Sequence, residues 1–157
     1  MHRSLLLCLL LAAASPSLAQ PDPKSEVLAV LDRFFAAMTA RDTVAMGRTL
    51  TPVGTLHAVV PGSSKAPRAT THAEYLKHLA DGKESLLERY WDPIVRIDEA
   101  IATVTTPYDF HVDGQLSHCG TDVFTLVKGP DGWRISGVAY TMQREGCPPS
   151  PLGPVRP

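Results

Sequence analysis

An α+β fold, with helices covering one face of a curved antiparallel sheet, is predicted by three features of the sequence. Apolar residues recur at helical spacing between Pro23 and Gly82, whereas beyond residue 84 the period changes to two and the β-branched content rises. Three turn signals, Asp98-Glu99, Asp113-Gly114 and Gly129-Pro130-Asp131-Gly132, divide that second half into strands. Composition agrees with one ordinary soluble domain: 157 residues, 44% hydrophobic and 20% charged, exclude a disordered, collagen-like or coiled-coil chain. With 15 basic against 16 acidic side chains, no nucleic-acid partner is implied.

The first nineteen residues are read as a targeting segment and not as part of the fold. Arg3 precedes an apolar run from Leu5 to Ala14, and Ser17-Leu18-Ala19 follows, the pattern of a signal peptide cleaved before Gln20. The run is too short for an anchored helix. Cys8 lies inside it and not after the cleavage point, so lipid attachment is not expected. These features predict an exported chain, periplasmic or secreted, without a stable membrane anchor. Two cysteines then remain, Cys119 and Cys147, candidates for one disulfide in an oxidising compartment. The alternative is a buried Cys119 and a loop thiol at Cys147; no Cys-x-x-Cys spacing supports a metal site.

The domain is expected over residues 20–147. Asp22-Pro23 reads as an N-cap followed by proline at the first helical position, where a missing N–H costs nothing. Val27, Leu28, Leu31, Phe34, Phe35 and Met38 then form one wide apolar face, read as core. Asp42 can cap a second short helix through Leu50, which Pro52 stops. Residues 53–60 are a short strand or irregular segment, and Pro61 to Ala69 a loop. Thr71 and Glu74 form a capping box opening a helix with Tyr75, Leu76 and Leu79 inward and a stop at Gly82.

Four strands are expected to follow as one antiparallel meander: Trp91 to Ile97, Ile101 to Phe110, Leu116 to Val127 and Trp133 to Met142. Residues 148–157 are proline-rich and read as an extended C-terminal tail.

This order of elements, together with Tyr-Asp-Phe-His-Val-Asp-Gly from Tyr108, His-Cys-Gly-Thr-Asp-Val-Phe from His118 and Gly-Trp-Arg-Ile from Gly132, resembles the nuclear transport factor 2-like superfamily. That superfamily includes SnoaL-like cyclases, ketosteroid isomerases and scytalone dehydratases, and the resemblance is to an exported branch of it. It implies a cone-shaped, cystatin-like fold with a cavity between helices and sheet, and commonly dimerisation through the exposed sheet face. Its members span enzymes, transport factors and modules without activity, so function rests on the cavity residues.

A two-residue hairpin at Asp113-Gly114 sets Asp109 opposite His118 and Thr105 opposite Asp122. The next hairpin puts Phe124, Leu126, Trp133 and Ile135 on the face of His118 and Asp122, giving a pocket with apolar walls and a polar mouth. Asp109 would orient His118 and raise its proton affinity. Pro107 puts that register in question, since a bulge there exchanges Tyr108 and Asp109 at the cavity. The candidate ligand-binding set is therefore Tyr108, Asp109, His118, Asp122, Phe124 and Trp133, with His118 and Asp122 as the proton-transfer pair and Tyr108 as donor.

Structural readings compete with these roles. His118 with Asp109 is equally a structural pair at a sheet end, and Asp122 a carboxylate at a rim or dimer surface. Tyr90, Trp91 and Tyr140 read as core or interface aromatics, and His111 as solvated beside its turn. His72 and His78, six residues apart on one helix, cannot chelate one metal. No phosphate loop, H-E-x-x-H, G-x-S-x-G or EF-hand sequence is present, so neither metal nor cofactor is implied. The sequence predicts an exported protein binding a small, largely apolar molecule. The alternatives are a cofactor-independent isomerase, dehydratase or hydrolase, and a dimeric interaction module with Val104, Val123, Val138 and Tyr140 on an outer apolar face.

Overall fold

The computed structural model describes residues 22–155; the expected signal peptide lies outside them. Helix α1 spans Pro23–Ala40, where the Asp22 carboxylate accepts from the Lys24 N–H and Pro23 fills the first turn. Its core face holds Val27, Val30, Leu31, Phe34, Phe35 and Met38, and Leu28 packs at the margin. The chain leaves α1 through Arg41 in the left-handed region, φ 52°. Asp42 then caps α2, Thr43–Thr49, accepting from the N–H groups of Val44 at 3.0 Å and Ala45 at 2.8 Å. Helix α3, His72–Asp81, carries the expected capping box: the Thr71 N–H donates to Glu74 Oε2 at 2.8 Å and the Glu74 N–H to Thr71 Oγ1 at 3.2 Å.

The strands are β1 Leu50–Val59, β2 Arg68–Thr71, β3 Leu86–Tyr90, β4 Ile94–Asp98, β5 Ile101–Val112, β6 Gln115–Gly129 and β7 Gly132–Thr141. They form one curved, unclosed sheet in the order β2-β1-β7-β6-β5-β3, with β4 also pairing β5. Every pairing is antiparallel except β1 with β7. The fold class is α+β, as predicted.

Three expectations about elements are corrected. The segment after α2, expected as a short strand or an irregular stretch, is a full strand of ten residues whose hydrogen bonds come from the distant β7 and leave no hairpin signal. The expected loop before α3 ends in β2, paired with β1. The strand expected from Trp91 to Ile97 begins only at Ile94, as β4, and an unexpected strand, β3, precedes it; Asp92 at φ 47° ahead of Pro93 separates the two.

Register is the larger correction. The β5–β6 hairpin starts as its Asp-Gly turn requires, with Val112 opposite Gln115 and His111 opposite Leu116. Ser117 is then an extra residue on β6, so Phe110 and not Asp109 faces His118, and Thr106 and not Thr105 faces Asp122. Ser136 does the same on β7: Leu126 faces Ile135, but Phe124 faces Val138 and Asp122 faces Tyr140. Val104 and Val138 therefore point into the core and Tyr140 into the concave side, and of the expected outer dimer patch only Val123 is exposed.

On the convex side the C-terminal residues do not trail away. Cys119 and Cys147 form a disulfide with Cα atoms 5.8 Å apart, and residues 148–155 return over β3, β5 and β6. The Arg89 Nη1 group donates to the Gly153 carbonyl at 2.9 Å. His111, expected in solvent, is buried beneath this segment.

Candidate functional site

A cavity of about 290 Å³ lies between α1, α3 and the concave face of the sheet. Alternation along the strands dictates what enters it. Glu88 of β3, Phe110 of β5 and His118 of β6 lie side by side across the sheet. Tyr90, Tyr108 and Gly120 form the next row, and Thr106, Asp122 and Tyr140 the one after. Helices supply the roof, Phe34 and Met38 from α1 and Tyr75 and Leu79 from α3. Arg68, His78 and Glu84 are exposed at its edge.

Gly120 is the gap in this array. A Cβ there would collide with the Thr141 carbonyl, so only glycine lets the end of β7 pass close over β6. That carbonyl accepts the Tyr108 hydroxyl at 2.7 Å. Tyr108 thus lines the cavity, as its place in the candidate set requires, but its proton is committed to the backbone and it is not the expected donor to a ligand. Burial, then the charges of Asp122 and Glu88, push the phenol pKa upward.

Asp122 is 2% exposed on the cavity floor, and its Oδ2 is enclosed without a hydrogen-bond partner from any N–H or hydroxyl among the described residues. Its neighbour is the Glu88 carboxyl. Two buried carboxyls in proximity raise one another's proton affinity. Burial raises Asp122 to about 7. Glu88 is raised well above the usual carboxylate range by burial first, then by the charge of Asp122. The site is a pair of buried carboxyls, both raised above the usual carboxylate range, in an apolar pocket.

His118 lines the same cavity without a carboxylate partner. Burial, and secondarily Arg144, lower its pKa to about 4, so the ring is neutral. Its Nδ1 lies 3.1 Å from Ser117 Oγ, and the ring is tilted on Phe110 at 4.9 Å between centroids. The expected Asp109–His118 pair does not exist. The bulge at Ser117 turns Asp109 to the convex side, where Arg89 holds it through Nε at 2.9 Å and through Nη2. Asp109 is accordingly not a cavity residue.

Of the other expected residues, Phe124 is in the cavity wall, edge-on to Phe34 and Phe35 at 5.8 Å each. Trp133 is not. It faces the concave side, but it pairs with Lys128, roughly 20 Å along the strand from Asp122, and packs beneath the start of α1 with the Lys128 ammonium 5.6 Å from its ring. Sharing a sheet face is not sharing a cavity. Tyr140, read as core or interface, lines the cavity, as does Tyr75, stacked on Phe34 at 5.9 Å. Glu88 was invisible in the sequence reading because Leu86–Tyr90 was not read as a strand; the weak alternation of Leu-Leu-Glu-Arg-Tyr was its only signal.

No known family profile matches the chain, and no curated protein matches it in sequence. Solved structures of like fold do. A nuclear transport factor 2-like protein from Cytophaga hutchinsonii superposes with a TM-score of 0.65 at 14% identity, over 78% of this chain and 99% of that one. A protein proposed to be a dehydratase of the same family, from Streptomyces avermitilis, gives 0.61 at 20% identity over 75% and 94%. One from Novosphingobium aromaticivorans, described as having a cystatin-like fold, gives 0.61 at 13% identity over 80% and 84%. At these identities the likeness is one of fold: the chain has the nuclear transport factor 2-like, cystatin-like architecture.

Proposed function

We propose that this chain is an exported protein that binds a small, largely apolar molecule between its helices and its sheet. The observation that carries the reading is the cavity itself, about 290 Å³ of space walled by aromatic and aliphatic side chains over one buried polar cluster. Export is supported by the apolar N-terminal run and by a Cys119–Cys147 disulfide suited to an oxidising compartment. Small-molecule fractions from the source organism should raise the melting temperature of the protein, as binding to the folded state alone requires. Val138→Phe, which fills the cavity from β7, should abolish the rise. A rise of the same size in that variant would place the ligand elsewhere.

Cofactor-independent proton transfer is the second reading, favoured by a raised Asp122 and a neutral imidazole lining one cavity. The fold likeness to a proposed dehydratase agrees with it. On this reading Asp122 is the base, His118 the second proton-transfer group, and Glu88 tunes the pair. His118→Ala and Asp122→Asn should each lose turnover with the fold retained; full activity in both ends this reading.

A further inference from the structure

The floor of the cavity contrasts with the convex face in how charge is balanced. Asp109, on the convex side, is neutralised by the Arg89 guanidinium. Glu88 and Asp122 have no ammonium or guanidinium against them among the described residues. The nearby Arg41 is spent at the rim on the Glu84 carboxylate, the Glu84 carbonyl and the Leu79 carbonyl. The two carboxyls face the cavity without a cationic partner, and the enclosed Asp122 Oδ2 is unpartnered.

The rest of the interior has the same bias. Tyr75, Tyr108, Tyr140 and Phe110 line the same space, and aromatic rings attract cations. His118 is neutral, with its Nδ1 3.1 Å from Ser117 Oγ, and adds no positive charge. The Tyr108 proton is already donated to Thr141. The basic side chains of the lining, Arg41, Arg68 and His78, lie at the rim, away from the two carboxyls of the floor.

We infer that the occupant of this cavity is an organic ammonium, its charged nitrogen set against Glu88 and Asp122 and its apolar body among the aromatic rings. This rests on the ligand-binding reading above and narrows it. A carboxylate ligand would be repelled by the pair, and a neutral alcohol would satisfy Oδ2 without balancing its charge.

Three probes of one shape, 1-aminoadamantane, 1-adamantanol and 1-adamantanecarboxylate, separate the cases by calorimetric titration of the intact protein at neutral pH. The amine should bind at least tenfold more tightly than the alcohol, and the carboxylate most weakly. Asp122→Asn and Glu88→Gln should each reduce the advantage of the amine over the alcohol to under threefold. The wild-type ratio needs neither variant, so a folding defect in one of them does not remove the test. An alcohol or carboxylate binding as tightly as the amine overturns the ammonium inference and leaves the apolar cavity reading standing. Failure of all three to bind overturns both.

Discussion

Asp109 and Asp122 show at the level of single residues how one fold disposes of a buried carboxylate in two ways. Asp109 is 5% exposed and held by a guanidinium, so removing that partner strands a charge. Arg89→Met should cost about 3 kcal/mol in denaturant unfolding. Asp122 has the Glu88 carboxyl beside it instead of a cation. Both carboxyls are raised in the folded state, so folding takes up protons there. That stability is fully present below the ordinary carboxylate pKa and is lost as pH rises through about 7. His118 acts oppositely. Lowered from 6.5 to about 4, it contributes stability above 6.5 that is lost as pH falls through that interval. Unfolding free energies measured between about pH 5 and pH 7 separate the two. Relative to the parent protein, His118→Asn should fall more steeply with rising pH, and the Glu88→Gln, Asp122→Asn double variant should rise. Superimposable profiles for all three proteins would contradict the assignment.

Among elements, the two bulged hairpins decide which residues meet. Asp113-Gly114 announced its turn in the sequence, and the pairing beside it follows the turn's geometry. Ser117 and Ser136 announced nothing, since an extra residue on a strand is fixed by sheet curvature and helix packing, not by local preference. The helix starts were legible for the opposite reason: Asp22, Asp42 and Thr71 satisfy nearby N–H groups within a few residues of chain. Thr71→Ala should cost about 1 kcal/mol by chemical denaturation. The disulfide ties β6 to the returning C-terminal segment across 28 residues. Cys147→Ser should cost about 3 kcal/mol in the chain-entropy picture. A thiol titration of the mature, unreduced protein should find no free thiol; two reactive thiols would contradict the bridge.

Across the whole molecule, the class of the fold was readable and the membership of its cavity only in part. Periodicity and turns predict helices on a sheet because those signals are local. Asp122, His118, Phe124 and Tyr108 were reachable by counting along two hairpins, whereas Glu88 enters from a strand whose place beside β5 is set by tertiary packing. Tyr75 arrives from α3, across the layer, and no strand register could have placed it there. Trp133 shows the limit of the same counting, for face is a matter of parity and cavity a matter of distance. The central claim is that this hollow is occupied in use, and native mass spectrometry of the protein purified from its own source tests it most directly. The account predicts a retained small molecule, one per chain, absent from Val138→Phe. A bare chain mass under gentle conditions, or the same adduct on the filled variant, would contradict it.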